Sequence, residues 1–258
     1  MMEIESAGEI RWLRSTLIDS KLFVHGFPER TGGVSLGPQA SLNLRDRTGR
    51  DEENVLENRR VLGEAAGFNA DKLVVTQHVH GTAVWDTSQA PLVPNEFDGM
   101  VTAEPGVVLG AFAADCLPVL FADSTQKVCG AAHSGWRGTV NKIGPNVIDS
   151  MVKAGAVKKD IAVAIGPSIG PCCFEVGEEV AAEFDKAFPG EKEIVNRDRK
   201  KPHVDIYLAM KAQLLAVNVE NIDERPPCTK CEAKRFFSYR REGSPGGVHM
   251  GFIALRTS

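Results

Sequence analysis

The chain lacks most features that would tie it to a special environment. No stretch of its 258 residues approaches the roughly 20 apolar residues of a membrane helix, so no membrane partner is expected. The N-terminus, MMEIESAGEIRW, has no apolar core of signal-peptide length, and a cytoplasmic location is the expectation. The net charge is only −4, so there is no basic surplus of the kind that marks nucleic-acid binders. The basic run Arg197–Lys201 reads as a solvated loop. There are six cysteines, read as thiols, metal ligands or catalysts rather than a disulfide framework. Internal repeats and low-complexity linkers are also missing.

What is present is an ordinary globular composition, 43% hydrophobic and 25% charged, in a chain long enough to bury a large core. Phe27–Asn43 is rich in Gly, Pro and Ser and reads as a long loop, a type of segment that is often functional. Asp51–Gly67 reads as a helix, with acids in its first turn and a terminal glycine. Leu73–Thr76, Val107–Ala114, Val119–Ala122, Val128–Ala132 and Ile161–Ile165 are short apolar runs bounded by Asp, Gly or Pro, the pattern of strands. Thr139–Ala154, Glu178–Phe188 and Asp205–Val217 have helical spacing, with Pro145 marking a bend and Asp205 a cap. Phe236–Arg240 and Met250–Leu255 read as closing strands. Mixed strands with helices outside them predict an α+β layered fold.

Three stretches place metal-capable side chains at expected strand ends: Gln77-His78-Val79-His80-Gly81, Asp115-Cys116, and His133-Ser134-Gly135-Trp136-Arg137-Gly138. Imidazole and thiolate both suit zinc, and three protein ligands with one open position is the usual catalytic arrangement. His80, Cys116 and His133 form that set. On residue types alone the plainer alternative, a buried cysteine and two hydrogen-bonded histidines, is the commoner one. His78 and His80 would face the same way on a strand. Arg137 offers a fixed fork to phosphate or carboxylate, or else a structural ion pair. Ile165–Gly177 contains two Gly-Pro pairs and so is a shaped loop. Phe174 on it could stack on a flat ring or plug the core. Cys228-Thr-Lys-Cys231 is a lone CxxC with no second ligand pair nearby in sequence, and reads as structural or incidental.

The strings TGGVS, SLNL, ENR, HG, DG, ADCLPVLFAD, AHSGWRG, IGPSIGPCCFEV and FFSYRREG follow one another in that order between Thr31 and Gly243. Together they resemble the laccase-domain family, also called YfiH-like and formerly labelled multicopper polyphenol oxidase. Its members are described as purine nucleoside phosphorylases with adenosine deaminase and methylthioadenosine phosphorylase activity. The resemblance implies one domain over residues 1–258, built as a four-layer α/β/β/α sandwich with mixed sheets. It implies a zinc ion on His80, Cys116 and His133, substrate contacts near Asn43 and Arg59, and purine nucleosides and phosphate as small-molecule partners. The chain departs from the family pattern at His78, where many members have Gln, and at the loop carrying Arg45, Arg47 and Arg50. It departs again at Gly246-Gly247, where a Gly-Arg pair is common. The CTKC string followed by FFS resembles the animal branch.

The chemistry expected from these residues has several parts. Zinc would activate water for deamination. Arg59 and Arg137 are the candidates to align phosphate with the ribose. Asp115, beside Cys116, is a candidate to orient a histidine or move a proton, or else caps a turn. Three alternatives stand beside this reading. One is a metal-independent Cys-His hydrolase or deamidase with Cys116 as nucleophile and His133 as base. The second is a copper polyphenol oxidase, for which the six histidines of the chain are too few. The third is a non-catalytic binding module on the same fold.

Overall fold

The computed structural model describes residues 1–90 and 95–257. Strands β1 (Met2–Ala7), β2 (Ile10–Ser15) and β3 (Phe23–Pro28) open the chain. Helix α1 (Glu52–Ala66) follows, with Asp51 ahead of it and Gly67 ending it in the left-handed region at φ 84°, a conformation glycine adopts without steric cost. Next come β4 (Leu73–Val74), β5 (Val84–Asp86), β6 (Gly99–Thr102), β7 (Val108–Ala113), β8 (Leu117–Asp123) and β9 (Val128–Ser134). The second half holds α2 (Trp136–Val140), α3 (Ile143–Lys153), β10 (Ile161–Ile165), α4 (Glu178–Ala187), β11 (Val195–Asn196), β12 (His203–Val204), α5 (Ile206–Ala216), α6 (Tyr239–Glu242) and β13 (His249–Leu255).

Two mixed sheets result, with strand orders β1-β2-β3-β13-β7-β4 and β10-β8-β9-β6-β5. They stack face to face on an apolar layer that includes Phe23, Phe27, Leu109 and Ile253 from one sheet and Leu120, Ala131 and Ala164 from the other. The outer face of the larger sheet is covered by α1 through Leu62, packed with Val108, Met250 and Phe252. The outer face of the smaller sheet carries α3, α4 and α5 through Val147, Phe184 and Met210. This is the expected α/β/β/α order of layers. Each fully buried Leu, Ile or Phe in them contributes about 1.5–3 kcal/mol.

Several sequence expectations are corrected. The expected Phe236–Arg240 strand is absent: Phe236 and Phe237 are fully buried plugs, and Ser238 caps α6 by accepting from Arg241 N–H. The expected helix over Thr139–Ala154 is two helices, broken where Lys142 takes φ 70°. Pro145 lies in the first turn of α3, where its missing N–H costs nothing. The Leu73–Thr76 strand stops at Val74, so His78 lies on irregular backbone. The long loop begins after Phe27 and Pro28, which belong to β3. Strands β1 to β3 escape sequence reading; for β3, Phe-Val-His-Gly-Phe-Pro, the reason is that it is buried at every position and shows no alternation.

Candidate active site

The antiparallel register gathers the chemistry at one end of the smaller sheet. Asp98 immediately precedes β6 and Cys116 immediately precedes β8. Strand β9 runs antiparallel to both and ends with His133 and Ser134, so its finish lies beside their starts. His80 lies four residues before β5, which is parallel to β6. Strand β10 is antiparallel to β8 and delivers the loop carrying Ile169 and Phe174 to the same end. Strands β7 and β8 belong to different sheets, so the chain crosses between sheets at Ala114-Asp115-Cys116. Asp115 makes that corner at φ 94° and His80 sits at φ 60°, both left-handed and both non-glycine. Such strain concentrates where a side chain must be aimed.

His80, Cys116 and His133 converge so that their ligand atoms lie within 4.8 Å of one another. The aspartate at their centre is one that sequence reasoning did not select. Asp98 is almost completely buried and its Oδ1 accepts from His133 Nδ1–H at 2.7 Å. The same carboxylate accepts the backbone N–H groups of Val79, His80 and Gly81 at 3.2, 3.1 and 2.7 Å. One side chain thus fixes both the His133 ring and the turn carrying His80. The DG string was the only available signal for it. Gly135 completes the cluster: a Cβ there would collide with the His80 ring and approach Cys116 Sγ to 3.4 Å.

The electrostatics follow from this packing. Burial works against a charged His133, but neighbouring Cys116 and the Asp98 hydrogen bond outweigh it and push the imidazole up to about 9. Burial also opposes the Asp98 charge, and His133 with the Gly81 N–H more than offsets it, holding this carboxyl low. His78 stacks on His133 with ring centroids 4.4 Å apart, and burial, followed by the neighbouring His133, lowers its pKa well below the usual value.

The cluster opens into a cavity of about 600 Å³. Arg45, Arg47 and Arg240 line it, with Phe112, Trp136, Phe174 and Tyr239 among its aromatic walls. Phe174 combines both sequence readings: it packs with the core cluster of the smaller sheet and its remaining surface lines the cavity. Asn43 does not line this cavity. It is fully buried, donates to Asp51 Oδ2 at 2.9 Å and accepts Val248 N–H at 2.9 Å. Arg59 grips the Leu44 carbonyl at 3.0 and 2.9 Å and sits behind Phe112, 5.3 Å from its ring, on an adjoining cleft. Arg137 is exposed and stacks on Trp136 at 4.3 Å, outside the cavity lining. Asp115 reaches no histidine: Oδ1 accepts from Thr229 Oγ1 and Oδ2 from Arg240 N–H, both at 2.6 Å. The cationic lining comes instead from the arginine-rich loop after SLNL and from Arg240.

Residues 24–256 match the family model described as multi-copper polyphenol oxidoreductase laccase. The chain belongs to this family. The chain is 43% identical to a purine nucleoside phosphorylase of Deinococcus radiodurans over 231 residues, covering 90% of this chain and 88% of that protein. It is 38% identical over 259 residues to mouse purine nucleoside phosphorylase LACC1, covering 96% of this chain and 59% of that protein. The chain thus spans about three fifths of the length of its mammalian relatives. The crystal structure of YlmD from Geobacillus stearothermophilus superposes with TM-score 0.88 at 31% identity, covering 100% of both chains. The family label does not match the histidine supply of a multicopper protein. His25, His203 and His249 are spent on backbone carbonyls of Ser15, Lys201 and Pro167. Among the described residues one donor cluster contains histidine.

Proposed function

We propose that the chain is a zinc-dependent enzyme of purine nucleoside metabolism, working as one laccase domain. It would cleave adenosine, inosine, guanosine and methylthioadenosine with phosphate to base and ribose 1-phosphate or its methylthio form, and deaminate adenosine. The carrying observation is the His80–Cys116–His133 set opening into a cavity lined by three arginines and several aromatic rings. The names of the relatives point the same way.

The donor set fits zinc: two imidazoles and a thiol converge, one imidazole donates its other N–H to a buried carboxylate, and Gly135 leaves the space clear. Zinc held there would act as a Lewis acid beside the substrate. Asp98 holds the His133 Nδ1 proton, so Nε2 is the free ligand atom. Arg45, Arg47 and Arg240 offer cationic forks to phosphate. Phe174 and Trp136 offer faces to the purine ring. Holding phosphate against C1′ makes the displacement effectively unimolecular. The C1′–N9 bond breaks, a phosphate oxygen bonds to C1′, and the base leaves with a proton.

Base release from inosine should require phosphate and yield ribose 1-phosphate in equal amount. Base release without phosphate, or release unchanged by Cys116→Ala, would sink the reading.

One observation favours a second reading. Cys116, His133 and Asp98 follow one another in the order nucleophile, base and orienting carboxylate. A metal-independent hydrolase would use that order, with His80 idle. Activity that survives exhaustive chelation, with covalent trapping of Cys116, would establish it.

A further inference from the structure

The isolated-looking CxxC is not isolated in space. Cys172 and Cys173, on the loop after β10, meet Cys228 and Cys231, on the turn before Phe236. The four sulfurs lie within 4.8 Å of one another. Cys231 Sγ is 3.6 Å from Cys172 Sγ and 3.5 Å from Cys173 Sγ. A disulfide needs about 2.05 Å. A tetrahedral zinc ion with Zn–S bonds of about 2.3 Å sets its sulfurs about 3.8 Å apart. The spacing therefore suits four thiolates around one ion.

The backbone around the cluster is built to the same end. Gly170 N–H donates to Cys228 Sγ at 3.2 Å. A Cβ on Gly170 would come within 3.2 Å of Cys228 Cβ and 3.3 Å of Cys172 Sγ, so the glycine eases the close approach of the two segments. Thr229 N–H donates to the Ser168 carbonyl at 2.9 Å, clipping the turn to the loop. Cys173 and Phe174 N–H both donate to the Gly170 carbonyl, each at 2.9 Å, which curls the loop back over the sulfurs.

We propose that Cys172, Cys173, Cys228 and Cys231 form a second, tetrathiolate zinc site, separate from the His80–Cys116–His133 centre and structural in role. Its four protein ligands close the coordination shell and leave no position for substrate. Its place in the fold gives it a task. The loop it holds supplies Ile169 and Phe174 to the cavity wall. The turn it holds supplies Thr229, whose hydroxyl donates to Asp115 beside Cys116. The ion would staple one wall of the cavity to the corner that aims the Cys116 thiol.

The test separates this site from the first centre. The His80→Ala/His133→Ala chain should keep one tightly bound zinc per chain after desalting. Adding Cys228→Ser and Cys231→Ser should remove it. Zinc K-edge absorption of the double histidine variant should show a shell of four sulfurs with no nitrogen. That spectrum needs no cysteine change, so it decides the matter even if the quadruple variant does not fold. A sulfur-only component should also be present in the unmodified chain. A folded double histidine variant without zinc, zinc retained after the cysteine changes, or a mass two hydrogens light from a Cys172–Cys231 or Cys173–Cys231 disulfide would each overturn the proposal. Absence of phosphorolysis in the unmodified chain, with its tetrathiolate signal intact, would count against the proposed function and not against this site.

Discussion

Asp98 and His133 are joined by a 2.7 Å hydrogen bond between two buried side chains, and the same carboxylate collects three consecutive backbone N–H groups from the turn carrying His80. Two ligands from distant parts of the chain thus depend on one oxygen pair. Replacing Asp98 by Asn keeps the shape but loses the charge and turns two N–H donors toward others. Zinc affinity at the first centre should fall by about 10–100-fold, the usual cost of losing a carboxylate behind a metal-bound histidine. Metal titration of the folded variant reads this directly. Unchanged affinity would refute the role given to Asp98.

Gly135→Ala makes a steric test of the same centre. The added methyl would occupy the position of the His80 ring. Zinc content should drop from two ions per chain to one while the circular dichroism spectrum stays native, because the clash is confined to one side chain that can swing outward to solvent.

The arginines should divide by readout. Arg47→Ala and Arg45→Ala remove cavity-lining cations. Each should raise the KM for phosphate by about 10- to 100-fold, the equivalent of losing one charge-assisted hydrogen bond. Asn43→Ala should instead lower thermal stability, because Asp51 and the Val248 N–H lose a buried partner, at about 1–3 kcal/mol for each orphaned group. A phosphate KM unchanged in both arginine variants would remove the anion site from this loop.

His249 sets a pH dependence of stability. Burial lowers its pKa to about 4, against a smaller opposing pull from the Pro167 carbonyl, and its Nδ1 has no partner among the described residues. The unfolded chain binds a proton near 6.5 while the folded chain stays neutral. Stability is therefore complete above that value and falls as pH drops toward 4, by up to about 3 kcal/mol. Denaturant unfolding of His249→Gln should lack this slope between pH 6.5 and 4. An identical slope in the variant would assign it to other groups.

Chelation tests the cofactor. Dialysis against a strong chelator should abolish phosphorolysis, and added zinc should restore it. Full activity in the metal-free chain would favour the Cys116–His133–Asp98 reading instead.

Local rules read well wherever a residue acts through its neighbours in sequence. Acids at the start of α1 with Gly67 at its end, and Asp205 accepting from Leu208 N–H at the start of α5, are legible because a cap is satisfied within three or four residues. The Phe236–Arg240 segment misled for the complementary reason. Two adjacent phenylalanines look like a strand, but Phe236 packs in the layer between the sheets and Phe237 is buried under Arg30 and against Gly247, and burial overrides β-propensity.

The candidate metal set was legible by residue type, with Gly-rich turns beside it, and the family strings sharpened that choice. Its supporting shell was not legible. Asp98 acts across 35 residues on His133, and Asp115 acts across 114 residues on Thr229. The expected phosphate arginines, Arg59 and Arg137, have the right chemistry but lie outside the cavity lining.

Local order, in the form of helix caps, turn residues and the donor types a metal accepts, was determined by the sequence alone, because those properties reside in short spans of chain. Which donors meet was decided only by tertiary structure. The antiparallel pairing of β6, β8 and β9 brings Asp98, Cys116 and His133 to one sheet end. The packing of the loop after β10 against the turn before Phe236 joins a Cys-Cys pair to a CxxC that are far apart in the chain. Hydrogen bonds and coordinate bonds act over a few ångströms of space, and the register of the strands sets which side chains fall within that reach.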